Sequence, residues 1–175
     1  MRRIKAAMST ALVAGIATLL TVSATNALAS PGAHHPGTRG TRAGHARMML
    51  IDASLAPSMT ADPMFHHVGP GAKPWKLAHG TVMVTSAGLN LHVNGLLIPG
   101  VGTGPVKTIS ASLYCGADMT MKAAATSPQV ALSSKGDAVI EDRSFMAPAT
   151  CLAPVVLVHP NGVLTSYIAV SGARP

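Results

Sequence analysis

The amino-acid sequence predicts an all-β domain, built as a two-sheet antiparallel sandwich of immunoglobulin-like appearance with one disulfide. Three observations predict this class. Short segments alternate apolar and polar residues with a period of two, as half-buried strands do. Beyond the N-terminal region, no sustained apolar stripe follows the 3.6-residue helical period. The 17 glycines and 13 prolines also punctuate the chain throughout. The length from Met48 onward is sufficient for one such core, and we prefer the sandwich to a closed barrel.

Residues 1–29 have the composition of a removable signal peptide. Three basic side chains within the first five residues precede an apolar run over 11–20 and the small-residue sequence ending at Ala29. This order predicts cleavage between Ala29 and Ser30 and a secreted, extracellular mature chain. An uncleaved membrane anchor is the alternative, but the apolar run is shorter than the ~20 residues that a spanning helix needs. No later segment is long and apolar enough to be a transmembrane span.

Residues 30–47 predict a flexible spacer, because glycine, proline, histidine and arginine dominate and almost no apolar side chain is available for burial. Periodic sequence begins at Met48, so a single β-sandwich domain is expected over 48–175. Its first strand is expected over Met48–Leu55, although the continuous apolar start also fits a short helix. Residues 59–76 carry three prolines and two glycines and are expected to form an ordered loop.

A β-hairpin is predicted over Thr81–Thr85 and Leu89–Asn94, joined by the turn Ser86-Ala87-Gly88. With this turn, Thr85 pairs with Leu89, which places His92 opposite Val82. Leu89, Leu91 and Val93 are then expected in the core, with the alternate residues Asn90, His92 and Asn94 in solvent.

Further short strands follow by the same reasoning. Residues 106–115 alternate, so that Ile109 and Leu113 share one face while Ser110 and Tyr114 share the other. The remaining expected strands are 129–133, 138–142, 154–159 and 166–171, with turn residues at 134–137 and from Pro160 to Gly162.

The two cysteines, Cys115 and Cys151, are expected to form a disulfide, because an exported chain meets an oxidising environment. Their spacing fits neither a C-x-x-C redox motif nor a thiolate metal site. Closing the loop of about 37 residues between them stabilises the fold by roughly 4 kcal/mol in the chain-entropy model. Cys115 follows one strand and Cys151 precedes another, so the bridge joins either the two sheets or a sheet edge and a loop.

Composition and charge argue against nucleic acid as a partner and are compatible with an anionic envelope component. Without residues 1–29 the chain keeps ten basic and six acidic side chains, a modest positive charge. Nucleic-acid binding is not expected, since one Trp, two Tyr and two Phe provide few stacking platforms. A weak attraction to anionic wall polymer or lipid is compatible with the charge, so cell-wall polymer or another envelope protein is the partner class considered.

Histidines and methionines suggest copper binding as an alternative function, because imidazole and thioether ligands suit that metal. The best candidate ligands are His66 and His67 with neighbouring methionines. Adjacent histidines in an extended segment point to opposite sides, however, and no H-x-H or H-x-x-x-H pair occurs. Met83 is expected in the core. No metal or cofactor is therefore assigned.

The sequence contains no recognisable catalytic motif. The sequence lacks a G-x-S-x-G elbow, a β-lactamase-type S-x-x-K element and H-E-x-x-H, and the glycine-rich residues 100–104 are not followed by the Lys-Ser/Thr of a phosphate loop. The chain is therefore interpreted as a non-enzyme without catalytic residues. An exported hydrolase of unfamiliar design stays open as an alternative and would require Ser, His and Asp side chains to converge.

Three segments, residues 111–115, 151–162 and 167–172, resemble those of small exported actinobacterial proteins of unknown function. The resemblance covers about residues 75–172 and implies export, a paired cysteine and a β domain, but it brings no activity or site residue. The sequence thus predicts a secreted, non-catalytic β-sandwich protein with a binding or structural role at or outside the envelope. Trp75 and Phe65 are expected to cap one end of the sandwich.

Overall fold

The computed structural model describes residues 48–116 and 122–172. The predicted signal peptide over 1–29, its cleavage site between Ala29 and Ser30, and the predicted spacer over 30–47 lie outside the described residues. The fold is therefore that of the β domain alone.

Within the described residues the domain is all-β, and no helix long and apolar enough to cross a membrane occurs among them. Short strands alternate burial as predicted: β4 buries Leu89, Leu91 and Val93 and exposes the residues between them. The strands are β1 Met49–Pro57, β2 Gly69–Pro70, β3 His79–Thr85, β4 Gly88–Asn94, β5 Thr108–Tyr114, β6 Ala125–Thr126, β7 Val130–Ala131, β8 Ala138–Asp142, β9 Val155–Pro160, β10 Ser166–Tyr167 and β11 Ala169–Ser171.

Nine of these strands form a curled antiparallel sheet, a half-barrel, where two packed sheets were predicted, and β2 and β10 pair in parallel as a separate two-stranded sheet. Hydrogen bonding runs continuously through β6, β5, β9, β11, β1, β3, β4 and β8, and β7 also pairs with β5. The connection between the two halves is β1, whose residues up to Ser54 pair with β3 and whose residues from Leu55 pair with β11. Because one long strand belongs to both halves, the sheet bends around β1, and its halves are not clearly separate as the two sheets of a sandwich are.

The concave side of this sheet holds the main core. Leu91 of β4, Ile109 of β5 and Val158 of β9 are completely buried there, together with Ile140 of β8. Full burial of an aliphatic side chain stabilises the fold by about 1.5–3 kcal/mol. Apolar residues at every second position of each strand thus account for the curl, since the two halves close on a shared interior.

The register of the first hairpin differs from the prediction. Thr85 pairs with Gly88 instead of Leu89, so the turn has two residues and His92 lies opposite Thr81. Gly88 is the first residue of β4. Its φ of 130° is a conformation that glycine adopts without steric cost, so the strand can begin directly after a two-residue turn. Met83, expected in the core, lies on the solvent side with 37% of its surface exposed, because the buried positions of β3 are Gly80, Val82 and Val84.

The predicted disulfide is present and joins Cys115 to Cys151. Cys115 follows β5 directly, whereas Cys151 lies in the connection between β8 and β9. The neighbouring Gly116 N–H donates a 2.6 Å hydrogen bond to the Leu152 carbonyl. The bridge therefore fastens a long connection to the end of a central strand and does not pin two sheets together.

Gly136 fixes the turn before β8 and provides a test of the fold. Its φ is +82°, and a Cβ there would lie 2.5 Å from the Leu96 backbone nitrogen. We expect Gly136→Ala to lower the free energy of unfolding by about 2 kcal/mol or more, because it combines backbone strain with a backbone clash. Urea unfolding is the measurement.

The matched control is Gly100→Ala, at which φ is +73° and no atom lies within 4 Å of the added methyl. It isolates the conformational cost, on the order of 1 kcal/mol. Equal losses for the two variants would contradict the close packing of Gly136 on Leu96.

Candidate functional site

The outer face of β5 and β9, which points away from the main core, is also buried. Ser110, Ser112 and Tyr114 on this face are at most 2% exposed. The cover is the connection between β1 and β3, whose Phe65 and Val68 pack with Tyr114, Leu157 and Tyr167 in a second cluster. The Tyr167 hydroxyl donates to the Pro63 carbonyl at 2.8 Å and holds the connection in place.

His66 and His67 form a tight turn within this connection. Phe65 and Val68 exchange two backbone hydrogen bonds, of 3.0 and 2.8 Å, around them. Both histidines have positive φ, 50° and 63°, as the central residues of a type I′ turn require. Asparagine and glycine are the usual residues there, so the two histidines occupy backbone positions that side chains seldom adopt.

The turn separates the two candidate metal ligands. His66 is buried and stacks on Tyr114, with ring centroids 5.0 Å apart, whereas the side chain of His67 is exposed. Among residues 48–116 and 122–172, no group of three or more His, Cys, Asp or Glu side chains is arranged to hold a metal ion. Met64, the nearest methionine in sequence, is 57% exposed.

His159 is the other buried histidine of this face. Its Nδ1 lies 2.8 Å from the Ser166 carbonyl, which requires a proton on Nδ1 and leaves Nε2 as the unprotonated nitrogen of the neutral ring. Nε2 is buried without a hydrogen-bond partner in the described part of the chain. Burial lowers the pKa of His159 below its ordinary value, while the carbonyls of Ser166 and Val163 act in the opposite direction.

Ser110 lies opposite His159 on the neighbouring strand, and its hydroxyl is likewise buried without a partner among the described residues. A hydrolase would need such a pair joined by a hydrogen bond and oriented by a carboxylate, but the Ser110 hydroxyl and His159 Nε2 do not bond each other. The group that orients His159 is a backbone carbonyl, and both side chains are covered by the connection described above. The pair is part of a closed, buried cluster in which burial also raises the pKa of Tyr114.

One end of the sheet gathers several loops, and we call it the Val101 end. β1 and β9 finish at this end, while β3, β5 and β8 start there, because the pairs Pro57–Ala169 and Ile109–Pro160 set their directions. Residues 71–76, 95–107, 134–137 and 160–166 therefore lie together. The opposite end, which we call the Asp142 end, contains residues 86–87, 115–116 and 142–152.

The Val101 end carries a groove of about 310 Å³ between three of its loops. Its sides come from Gly71–Trp75, from the loop between β4 and β5, and from Pro160 and Ser166. The apolar side chains that line it are Trp75, Ile98, Val101, Pro105, Val106 and Ile168. A second groove, of about 480 Å³, lies on the other side of Ile98 and Val101 and is lined largely by apolar residues between Leu77 and Gly102.

Four lysines surround these grooves. Lys73 lines the first groove and Lys76 the second. The Lys107 N–H bonds to the Asn161 side chain at 2.8 Å, and Lys135 belongs to the turn that packs on Leu96. All four side chains are exposed. The Val101 end thus combines apolar recesses with positive charge.

Carboxylates lie at both ends of the sheet. Glu141 and Asp142 lie at the Asp142 end, where Lys122 and Arg143 are exposed beside them, so the charges at that end balance. At the Val101 end, Asp137 accepts a hydrogen bond from the Gly95 N–H at 3.0 Å, and Asp62, in the turn after β1, accepts one from the Met59 N–H at 2.7 Å. The four lysines outnumber these two carboxylates.

The larger depressions of the Asp142 end, about 540 and 590 Å³, combine apolar side chains such as Phe145 and Met83 with Asp142 and other polar or charged groups. Their lining is therefore more polar than that of the grooves at the Val101 end.

Sequence reasoning located parts of this arrangement. It placed residues 100–104 in a strand connection, where they lie between β4 and β5. It expected Trp75 and Phe65 at one end, but only Trp75 lines a groove there; Phe65 packs edge-on against Tyr167 over the outer face. The lysines were not recognised as a group, because they are far apart in sequence and only the strand register brings them together.

Comparisons of the chain with protein-family models, with curated proteins and with solved structures found no match.

Proposed function

We propose that this chain is an extracytoplasmic, non-catalytic protein that acts by binding, and that its contact surface is the Val101 end. Export rests on the charged, apolar and small-residue order of residues 1–29. The Cys115–Cys151 disulfide supports an oxidising compartment, in which such bridges persist. The proposed partner class is an envelope component: wall polymer, lipid or protein.

The observation that carries the proposal is the apolar groove bounded by Trp75, Val101 and Ile168. Recesses lined by aliphatic and aromatic side chains, with a few polar groups at the rim, are the usual form of a ligand site. Lys73 and Ser166 supply polar groups to this groove, and Lys76 lines the neighbouring one. The groove is formed by three loops held on the sheet, and loops on a rigid scaffold commonly carry binding function.

The experiment uses Trp75, the chain's single tryptophan, as a built-in reporter. Its emission is recorded while purified wall polymer, lipid and envelope protein fractions are added one at a time. We expect one fraction to shift the emission and to be recovered chemically unchanged. Val101→Asp should weaken that binding about tenfold or more, because it places a charge against an apolar contact.

Met146→Asp is the matched control, since Met146 is 75% exposed and belongs to the Asp142 end. Both substitutions add one carboxylate at an exposed apolar site, so their effects on net charge are equal. The proposal fails if no fraction binds, if the bound fraction is chemically converted, or if the two variants weaken binding equally.

A further inference from the structure

We infer that the Val101 end docks on the surface of an anionic lipid bilayer, with lysines at the headgroups and loop tips inserted among them. The inference rests on the proposed function and names its partner. Two features of this end support it: exposed aliphatic loop tips and the placement of charge.

The loop tips project apolar side chains into solvent. Val101 is 65% exposed, and Val163 and Leu164 are 48% and 46% exposed. Val163 and Leu164 lie between Pro160 and Ser166, which line the same groove as Val101. Isolated apolar residues on a surface are common, but these three belong to two loops that line one groove and can enter one interface together.

The second feature of this end is its positive charge, which comes from four lysines. Lys73 and Lys76 are on the loop before β3, Lys107 is at the start of β5 and Lys135 is before β8, so they are distributed around the loop tips. Two carboxylates lie at this end, and both accept hydrogen bonds from backbone N–H groups: Asp137 from Gly95 and Asp62 from Met59. An anionic surface is complementary to this distribution, since each lysine near it contributes about 1 kcal/mol of attraction.

The opposite end lacks this combination. Met146 and Leu152 are more exposed than any of the three loop tips, at 75% and 73%. Glu141 and Asp142 lie with them, however, and balance the positive charges of Lys122 and Arg143 at the same end. Apolar exposure alone therefore does not select the docking end, whereas apolar exposure combined with an excess of lysines over carboxylates does.

A bilayer is favoured over a soluble polyanion because of the loop tips. A polyanion would use the lysines alone and would leave Val101 and Leu164 in water. A bilayer places the same side chains at the boundary between headgroups and acyl chains, where apolar side chains are stabilised. The aliphatic residues are thus the part of the surface that distinguishes the two partners.

The test is co-sedimentation of the full chain, after any processing on export, with vesicles of two compositions. One is phosphatidylcholine alone and the other is phosphatidylcholine with an equal amount of phosphatidylglycerol. We expect binding to the anionic vesicles, weaker in high salt. The double variant K73Q/K76Q should bind at least tenfold more weakly, from about fivefold for each lysine. V101D/L164D should lose binding by a similar factor.

M146D/L152D is the control for the aspartate substitutions and should bind anionic vesicles like the unmodified protein. The inference is overturned if no vesicle is bound, or if V101D/L164D binds no more weakly than M146D/L152D. It is also overturned if polyglutamate fully displaces the protein from anionic vesicles and V101D/L164D binds polyglutamate as tightly as the unmodified protein does. Those results together would indicate a purely electrostatic partner. In each case the proposed function survives when the Trp75 screen still finds a ligand sensitive to Val101→Asp, so the two failures are distinguishable.

Discussion

Replacing both Cys115 and Cys151 by serine is expected to lower the free energy of unfolding by roughly 4 kcal/mol. The bridge closes a loop between residues 36 apart, and removing it restores that loop's freedom to the unfolded chain. Domains of this size commonly have a total stability of about 5–15 kcal/mol, so the loss is a large fraction of it. Urea unfolding of the double variant beside the unmodified protein measures the difference.

Reduction provides the control for this experiment. A thiol reductant should lower the stability of the unmodified protein towards that of the double variant and leave the double variant itself unchanged. A difference below about 1 kcal/mol between the two oxidised proteins would contradict the expected contribution. It would mean that the connection between β8 and β9 is held by its other contacts, such as the bond from Gly116 to Leu152.

Acid is expected to destabilise the domain through His159. Burial holds the pKa of His159 below its ordinary value of 6.5, so the unfolded chain takes up a proton first as the pH falls. The neutral ring therefore makes its full contribution to the free energy of unfolding above pH 6.5, and this contribution is lost progressively as the pH falls below that value. Between the pKa of His159 in the folded protein and its pKa in the unfolded chain, the free energy of unfolding changes by up to about 1.4 kcal/mol per pH unit because of this one group.

Urea unfolding at a series of pH values from neutral to mildly acidic measures that slope. His159→Gln keeps an N–H donor for the Ser166 carbonyl but does not titrate, so its unfolding free energy should depend less on pH. Val139→Gln is the control, because Val139 is 49% exposed and its replacement introduces glutamine without removing an ionisable group. An unchanged slope in His159→Gln would refute the role assigned to this histidine.

The alternation of apolar residues in β4 was sufficient to predict this strand and its buried face, and Leu91 occupies a position that a period of two assigns to the core. The strand β3 was also predicted, but its buried face was wrong at Met83, which is exposed while Val82 is buried. The disulfide was predictable because the chain's two cysteines allow a single intramolecular pairing.

Features that depend on distant partners were not predictable in the same way. The two-residue strands β2 and β6 are too short to show any period, and they exist only because β10 and β5 lie beside them. The cover over Ser110 and Tyr114 was missed because a loop rich in proline and glycine gives no periodic signal, although its Phe65 and Val68 become part of a core.

The candidate site shows the same limit. Trp75 and the loop over residues 100–104 attracted attention by composition, whereas Lys73 and Lys135 become neighbours of that loop only through the order of the strands. A net charge calculated from sequence gives the number of basic side chains but not their distribution relative to the carboxylates. That distribution follows from strand direction, which the sequence alone did not specify.

The shared strand β1 has a consequence for how the domain forms. Leu55 pairs with Ser171, so the earliest described strand needs the last one as a neighbour. Contacts between such distant parts of a chain must overcome a large loop-closure entropy and slow the folding reaction. Until β11 has been synthesised, the second half of β1 presents unpaired backbone groups, and the nascent chain carries an open sheet edge that invites pairing with other chains. The native sheet can therefore close only after β11 has left the ribosome.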